Sequence, residues 1–131
     1  MIVGIGVDVV DLARFDRAMN RTPALRARLF APAERPLPLH SLAGRFAAKE
    51  ALIKALGGSA GVSWQDIEVV SDDDRNPSFL LHNTLAGVAE KKGISALHLS
   101  MSHDGGVAIA YVIAESADEN RLARQRERAD G

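Results

Sequence analysis

The chain contains no cysteine, which excludes disulfide bonds and thiolate metal sites. It has no apolar run long enough to span a bilayer. The longest apolar run in the C-terminal half covers only residues 105–114. The N-terminus lacks the basic segment that begins a signal peptide, so we expect a cytoplasmic protein with no membrane partner. The net charge of −1 gives the chain as a whole no preference for acidic or basic partners.

The length and composition are those of one ordinary globular domain. A chain of 131 residues can bury a core without disulfide or metal support. Runs of β-branched or alternating apolar residues predict strands at 2–10, 67–71, 79–82, 97–102 and 107–114. From residue 116 onward, charged residues dominate and large apolar side chains are almost absent. We therefore expect a folded domain over residues 1–115 and a charged tail over residues 116–131.

Capping residues indicate where the helices begin and end. Asp11 can cap a first helix that runs through about Asn20, and Thr22-Pro23 begins a second, short helix. A longer central helix begins at Ser41, whose hydroxyl can cap the first turn. It ends at Gly57, because glycine adopts the left-handed conformation that closes a helix.

Four charged residues lie on this central helix in two pairs, each pair one turn apart. Glu50 and Lys54 lie beside the apolar side of the helix, and Arg45 and Lys49 lie on its other flank. One carboxylate with three cations can hold a metal ion and phosphates together. Alternatively, Glu50 and Lys54 form an ordinary surface ion pair of small energy.

The first strand is apolar at almost every position, which predicts burial on both of its faces. Asp8 interrupts it, and a carboxylate in a buried strand needs a partner or a cation. Alternatively, Asp8 ends the strand and bonds to the following turn. Gly4 and Gly6 suggest a dinucleotide-binding loop, but Val9 stands where the third glycine belongs and the two glycines lie within the strand.

Residues 11–28 carry five arginines and only two aspartates in a chain that is otherwise close to neutral. Three of these arginines lie in or just after the first helix: Arg14, Arg17 and Arg21. A concentrated arginine face favours an acidic partner, although such a face can also be merely solvated. The aromatic residues of a nucleic-acid surface are missing apart from Phe15 and Phe30, so we expect no nucleic acid.

Two further stretches are candidates for contact with a phosphate. The glycine-rich loop 57–61 contains Ser59, and its backbone N–H groups can cradle a phosphate or simply close the helix. His103 follows a predicted strand, where it can bond a phosphate, transfer a proton or merely end the strand. Ser102, His103 and Asp104 do not form a catalytic triad, because adjacent strand residues point to opposite faces.

Three separated motifs occur in a fixed order: Gly4-Ile5-Gly6-Val7-Asp8-Val9-Val10-Asp11, the segment from Arg45 to Lys54, and Ser100-Met101-Ser102-His103-Asp104. Together they resemble the signatures of the holo-acyl-carrier-protein synthases, the small bacterial class of 4′-phosphopantetheinyl transferases. Phe30 and Glu34 also match that family's F-T-x-x-E pattern, whereas the residues between them do not. The resemblance implies an α+β fold, a single compact domain in which a mainly antiparallel sheet packs against the long central helix.

The resemblance also implies an activity and a site. The 4′-phosphopantetheine group of coenzyme A would pass to a serine of an apo acyl carrier protein, releasing adenosine 3′,5′-bisphosphate, in fatty-acid or polyketide biosynthesis. Asp8 and Glu50 would bind Mg²⁺, and these two residues with Lys54 and His103 would form the catalytic set. The coenzyme A co-substrate would be held by Arg45, Lys49, Lys54, Ser59 and His103.

The implied partners are an acidic acyl carrier protein, docked by Arg14, Arg17 and Arg21, and further copies of the chain in a homotrimer with sites shared between protomers. Two other functions stay open on the sequence. One is a non-catalytic module that binds a nucleotide or phosphate with the same cations. The other is a small metal-dependent phosphohydrolase that cleaves coenzyme A without any carrier protein.

Overall fold

The computed structural model describes residues 1–117 and 127–129 of the chain. In chain order its elements are β1 (Ile2–Asp11), α1 (Leu12–Arg21), α2 (Leu25–Leu29), α3 (Leu39–Ala55), a 3₁₀ turn (Trp64–Asp66), β2 (Ile67–Ser71), β3 (Pro77–Leu81), α4 (Leu85–Lys91), β4 (Ala96–Asp104) and β5 (Val107–Glu115). The predicted strands and the central helix are all present. The expected charged tail over residues 116–131 lies largely outside the described residues.

The strands form two antiparallel sheets. One sheet has the order β1-β5-β4, and the other is the hairpin of β2 and β3. α3 packs across one face of the three-stranded sheet, mainly against β1 and β5. The largest apolar side chains that are fully buried are Phe30, Leu42, Leu52, Ile67, Leu85 and Val112. The predicted α+β fold, with an antiparallel sheet on a long central helix, is therefore confirmed.

Two glycines allow α3 to lie directly on β1. A Cβ atom added at Gly6 would lie 1.8 Å from the carbonyl oxygen of Ala51, and one added at Gly4 would lie 2.0 Å from that of Ala55. Both distances are far shorter than any real carbon–oxygen contact, so no side chain fits at either position. Gly4 and Gly6 therefore serve close packing of helix on strand, which agrees with the rejection of a dinucleotide loop.

The first two helices begin differently. Asp11 caps α1 as predicted, because its carboxylate accepts the backbone N–H of Arg14 over 2.9 Å. The prediction that Thr22 caps a helix starting at Pro23 was wrong, since α2 begins only at Leu25. Thr22 instead closes α1 by donating its backbone N–H to a carbonyl of that helix.

The central helix α3 begins earlier than predicted and ends at the predicted glycine. It starts at Leu39 after an extended proline, with no side-chain cap, so the prediction that Ser41 caps it was wrong. At its other end Gly57 has a φ of +89°, and the N–H groups of Gly57 and the next glycine donate to the carbonyls of Lys54 and Ile53. This bond pair satisfies the last carbonyls of the helix. Among the helices described, none is long and apolar enough to cross a membrane.

β1 is exposed on one face, contrary to the prediction that both of its faces are buried. Ile5, Val7 and Val9 are 65%, 40% and 58% exposed, and Tyr111 of β5, the register partner of Val7, is 53% exposed. These four residues, here called the outer apolar face, lie on the side of the sheet away from α3. The apolar pattern of β1 therefore reflects one face packed on α3 and one face that the described residues of the chain leave exposed.

β4 runs further than predicted and carries His103 inside the strand. It ends at Asp104, and a two-residue turn of Gly105 and Gly106 connects it to β5. Both glycines have positive φ, +56° and +80°, as a tight hairpin turn with the twist of its strands requires. His103 therefore lies within the strand, in register with Ala108, whereas the sequence had placed it just after the strand.

Candidate active site

Charged side chains from β1 and α3 meet beside the contact between these two elements. Nζ of Lys54 donates to Oδ1 of Asp8 over 3.2 Å and to the backbone carbonyl of Val7 over 2.8 Å. The side chain of Lys54 is 54% exposed and that of Asp8 only 19%. The carboxylate is therefore mostly enclosed by the protein, whereas the lysine side chain that pairs with it is exposed to solvent. Lys54 pairs with Asp8 and Glu50 pairs with Trp64, so the alternative of a Glu50–Lys54 surface ion pair is wrong.

Glu50 lies between two adjoining cavities. The acidic cavity, of about 400 Å³, is lined by Asp8, Asp11, Arg14 and Glu50 together with Phe15 and Phe46. The apolar cavity, also of about 400 Å³, is lined by Phe15, Met19, Leu25, Phe46 and Trp64 together with Glu50. Because Glu50 and two phenylalanines line both, a charged pocket and an apolar pocket meet at this carboxylate.

The carboxylates of the acidic cavity fit a magnesium ion. Mg²⁺ takes one or two carboxylates and keeps waters and phosphate oxygens as its other ligands. Oδ1 of Asp8 is engaged by Lys54, and Oε1 of Glu50 accepts the indole N–H of Trp64 over 2.8 Å. Within residues 1–117 and 127–129 the second oxygen of each carboxylate makes no hydrogen bond, and no group of three or more metal-binding side chains is found. The donor set therefore suits an ion that shares its coordination with a substrate.

Lys49 is buried inside the protein and does not line the acidic cavity. Its Nζ donates to Oε1 of Glu34 over 2.6 Å and to the backbone carbonyls of Leu29 and Trp64 over 2.8 and 3.2 Å. The side chains of Lys49 and Glu34 are 0% and 2% exposed. All three donors of the ammonium group are thus used inside the protein. The expectation that Lys49 contacts the nucleotide is corrected accordingly.

Glu34 and Lys49 form the centre of a buried charge network. Burial lowers the pKa of Lys49 below its ordinary value of 10.5, and the hydrogen bond and charge of Glu34 offset part of this effect. The carboxylate of Glu34 also accepts the backbone N–H groups of Ala31 and Val69 over 2.9 and 3.0 Å. The network therefore joins the segment before α3, α3 itself and β2.

The other residues predicted to hold coenzyme A lie apart from the acidic cavity. Nε of Arg45 is buried 3.7 Å from Oε2 of Glu34, a distance too long for a hydrogen bond. His103 is exposed, and its ring lies against α3, since a Cβ atom at Gly44 would be 3.1 Å from its Cε1. Ser59 is exposed in the loop after α3. Across the described part of the chain, no hydrogen bond or ion pair joins these three residues to the acidic cavity, and their roles stay predictions.

The arginines of α1 are exposed and begin at the acidic cavity. Arg14 lines that cavity, and Arg17 and Arg21 follow it at helical spacing along the same side of α1. Phe15 and Met19 lie on the buried side of the helix. A basic surface thus extends from the acidic cavity along α1, so an acidic macromolecule on this surface would lie next to the cavity.

A profile of the 4′-phosphopantetheinyl transferase superfamily matches residues 4–112 of the chain. The chain belongs to this superfamily. It is similar to the holo-[acyl-carrier-protein] synthase of Leifsonia xyli subsp. xyli, with 66% identity over 115 residues. The alignment covers 88% of this chain and 98% of that transferase.

Solved structures of transferases from the same superfamily share the fold. The holo-[acyl-carrier-protein] synthase of Neisseria meningitidis superposes with a TM-score of 0.84 at 37% identity, covering 88% of this chain and 100% of that one. The holo-[acyl-carrier-protein] synthase of Helicobacter pylori, in complex with coenzyme A, superposes with a TM-score of 0.76 at 33% identity, covering 85% and 99%. Nearly the whole folded part of the chain is therefore transferase-like.

Two residues that the structure of this transferase connects to Glu50 were not predicted from the sequence as part of the site. Trp64 donates its indole N–H to Glu50, and its only signal in the sequence is that it is the single tryptophan. Glu34 reaches Trp64 through Lys49, and it was recognised only as part of a family pattern. Both contacts depend on how loops fold back on α3, which no local pattern predicts.

Proposed function

We propose that this protein transfers the 4′-phosphopantetheine group of coenzyme A to a serine of an apo acyl carrier protein, giving the holo carrier protein and adenosine 3′,5′-bisphosphate. The observation that carries the proposal is the convergence of Asp8, Glu50 and Lys54 at one side of the α3–β1 contact. Membership of the superfamily and 66% identity to a holo-[acyl-carrier-protein] synthase support it. The reaction would serve fatty-acid or polyketide biosynthesis.

Each residue of the cluster has a role that its environment suits. Asp8 and Glu50 would hold Mg²⁺ through the oxygens that make no other hydrogen bond. When bound, the ion would neutralise charge on the pyrophosphate of coenzyme A and on the leaving nucleotide. The side chain of Lys54 is more than half exposed, so its ammonium group can turn to a phosphate oxygen and act there as a compact point charge.

The attacking group belongs to the carrier protein and not to this chain. The serine oxygen forms a bond to the phosphorus that carries the pantetheine arm. The bond from that phosphorus to the bridging oxygen breaks, and adenosine 3′,5′-bisphosphate leaves with the electron pair. Asp8 and Glu50 are carboxylates at the acidic cavity that can take the serine proton, directly or through water.

We infer that a homotrimer completes the site. The outer apolar face leaves Ile5, Val7, Val9 and Tyr111 exposed, and a second copy of the chain would cover it. Arg45 and His103 make no described contact with the acidic cavity of their own chain. A neighbouring protomer would therefore bring its Arg45 and His103 to the 3′-phosphate or pyrophosphate, with Ser59 near the same nucleotide.

The carrier protein would dock on α1. Arg14 lies both at the acidic cavity and on the basic surface that continues through Arg17 and Arg21. An acidic carrier protein attracted to this surface would bring its serine close to the bound coenzyme A. The apolar cavity next to Glu50 would receive an apolar side chain of the carrier protein beside that serine.

The decisive experiment is mass spectrometry of an apo acyl carrier protein incubated with this protein, coenzyme A and Mg²⁺. A gain of one phosphopantetheine group per carrier protein, with release of adenosine 3′,5′-bisphosphate, is expected. Reactions without coenzyme A, or with a chelator, are the controls.

The same experiment separates the two alternatives. Coenzyme A that is cleaved equally well without carrier protein would identify a phosphohydrolase. Coenzyme A that binds stoichiometrically with no product would identify a non-catalytic module. Either result would contradict the proposed transfer.

A further inference from the structure

We infer that Trp64 is a positioning residue that orients Glu50, a role that rests on the proposed function of Glu50 as a magnesium ligand. The indole Nε1–H of Trp64 donates to Oε1 of Glu50 over 2.8 Å. The same indole ring lines the apolar cavity, so it is packed on one side and hydrogen-bonded on the other. Because Oε1 is held in this way, Oε2 is the oxygen of Glu50 that remains for a cation.

Consecutive residues of α3 hold two different parts of Trp64. Glu50 accepts its indole N–H, and Lys49 donates to its backbone carbonyl over 3.2 Å. The backbone N–H of Ile67, at the start of β2, donates to the same carbonyl. Trp64 is therefore fixed at its backbone and at the tip of its side chain, both times against α3.

The buried charge network keeps Trp64 in this position. Lys49 is held by Glu34 over 2.6 Å and by the carbonyl of Leu29 over 2.8 Å, and Glu34 is held in turn by Val69 of β2. Burial makes this network stiff, because its charges cannot exchange their partners for water. A continuous series of contacts thus runs from Glu34 through Lys49 and Trp64 to the carboxylate at the acidic cavity.

The experiment compares the magnesium dependence of wild-type protein and Trp64→Phe. Phenylalanine keeps an aromatic ring in the apolar cavity but removes the N–H donor. Partners that hydrogen-bond a metal-binding group typically contribute 10–100-fold to metal affinity or activity, so the Mg²⁺ concentration for half-maximal transfer should rise by about 10-fold. The loss of rate relative to the wild type should be largest at low Mg²⁺ and should shrink as Mg²⁺ approaches saturation, because the metal ligands themselves are unchanged.

A matched control separates this effect from lost packing. Leu85→Val removes volume from the core at α4, without any described link to Glu50. This variant should lower Tm as Trp64→Phe does, while its Mg²⁺ dependence stays that of the wild type. If the two variants raise the required Mg²⁺ concentration equally, the effect is general destabilisation and the positioning role is overturned.

A second measurement does not depend on activity. Trp64 is the only tryptophan, so the ¹H–¹⁵N NMR spectrum contains a single indole N–H resonance. Glu50→Gln replaces a charged acceptor with a neutral one and should move this resonance upfield. Mg²⁺ added with coenzyme A should also shift it in the wild type. A resonance that is the same in wild type and Glu50→Gln would overturn the inference.

Failure of the inference can be told apart from failure of the proposed function. If wild-type protein transfers phosphopantetheine and Trp64→Phe keeps the wild-type Mg²⁺ dependence, the positioning role is overturned and the proposed function stands. If wild-type protein transfers nothing at any Mg²⁺ concentration, the proposed function fails, and the role that rests on it fails with it.

Discussion

Nζ of Lys49 lies 2.6 Å from Oε1 of Glu34, with both side chains enclosed by the protein. Burial of the ammonium lowers the pKa of Lys49, and the nearby carboxylate of Glu34 raises it only in part. A buried lysine whose pKa is lowered binds its proton less tightly in the folded chain than in the unfolded chain. The stability of the fold is therefore linked to pH through this one side chain.

The first prediction gives the sign of that linkage. Between the lowered pKa of Lys49 and its ordinary value of 10.5, the unfolded chain binds more protons than the folded chain. The contribution of Lys49 to the free energy of unfolding should therefore rise with pH across this window. Urea unfolding at a series of alkaline pH values gives the free energy of unfolding of the wild type and of Lys49→Met. The wild-type value minus that of the variant isolates the contribution of Lys49 and should rise with pH. A difference that falls with rising pH would contradict the prediction.

The second prediction concerns the contact of α3 with β1. Gly6→Ala places a Cβ atom against the carbonyl of Ala51, so strand and helix must move apart. Overpacking typically lowers the free energy of unfolding by about 1–3 kcal/mol and sometimes more. Because Gly6→Ala displaces backbone, we expect this variant to lose about 3 kcal/mol or more. In the matched control Gly87→Ala, on α4, the new Cβ atom meets nothing within 4 Å. The free energy of unfolding of that variant should rise by about 0.5–1 kcal/mol, because alanine favours a helix more than glycine does. Thermal unfolding of both variants checks the prediction.

The third prediction concerns the magnesium ligands. Asp8→Asn should lower the transfer rate by about 100-fold or more, because a ligated metal ion supplies several kcal/mol of charge stabilisation. Circular dichroism should show an intact fold. Asp73→Asn, in the exposed turn between β2 and β3, is the control and should leave the rate unchanged. Near-normal activity of Asp8→Asn at low Mg²⁺ would show that Asp8 is not a ligand.

The fourth prediction concerns the basic surface of α1. Reversing Arg17 and Arg21 to glutamate should raise KM for the acidic carrier protein and leave KM for coenzyme A nearly unchanged. Because charges are screened beyond about 10 Å at 0.1 M salt, added salt should slow the wild type more than the variant. Reversal of Lys91 and Lys92, at the end of α4, changes the same charge elsewhere and is the control. If both double variants behave alike, α1 is only solvated surface.

The fifth prediction concerns the outer apolar face. Val7→Asp with Tyr111→Asp places two carboxylates at register partners of β1 and β5, where a covering copy of the chain would have to desolvate them. Light scattering should give the mass of a trimer for the wild type and of a monomer for this variant. Leu80→Asp, at an exposed apolar residue of β3, should stay trimeric. A monomeric wild type at micromolar concentration would contradict the proposed assembly.

Local features of the chain were predictable because they depend on nearby residues. Asp11 caps α1 through the N–H of Arg14, three residues later, and Gly57 ends α3 through its own backbone conformation. The alternating pattern of β4 likewise needs only its own residues. The nearness of Asp8, Glu50 and Lys54 was expected only from the family resemblance, since β1 and α3 are far apart in the chain.

Features that depend on distant parts of the chain were missed or misjudged. The side chain of Lys49 is buried because it pairs with Glu34, and Glu34 belongs to a loop with no regular pattern. The partner of Glu50 is a tryptophan beyond the end of α3 and not the lysine one turn away. The outer face of β1 is apolar but uncovered within one chain, so hydrophobicity alone predicted burial that a single protomer does not provide.

The absence of side chains at Gly4 and Gly6 also has a dynamic consequence. Asp8 lies two residues after Gly6, and Glu50 lies one residue before Ala51, so both carboxylates are carried by the same backbone contact. Helix and strand that touch without intervening side chains have no rotamers between them to relax. Thermal motion should therefore displace β1 and α3 together, and the separation of the two carboxylates should fluctuate less than that of residues joined through side chains.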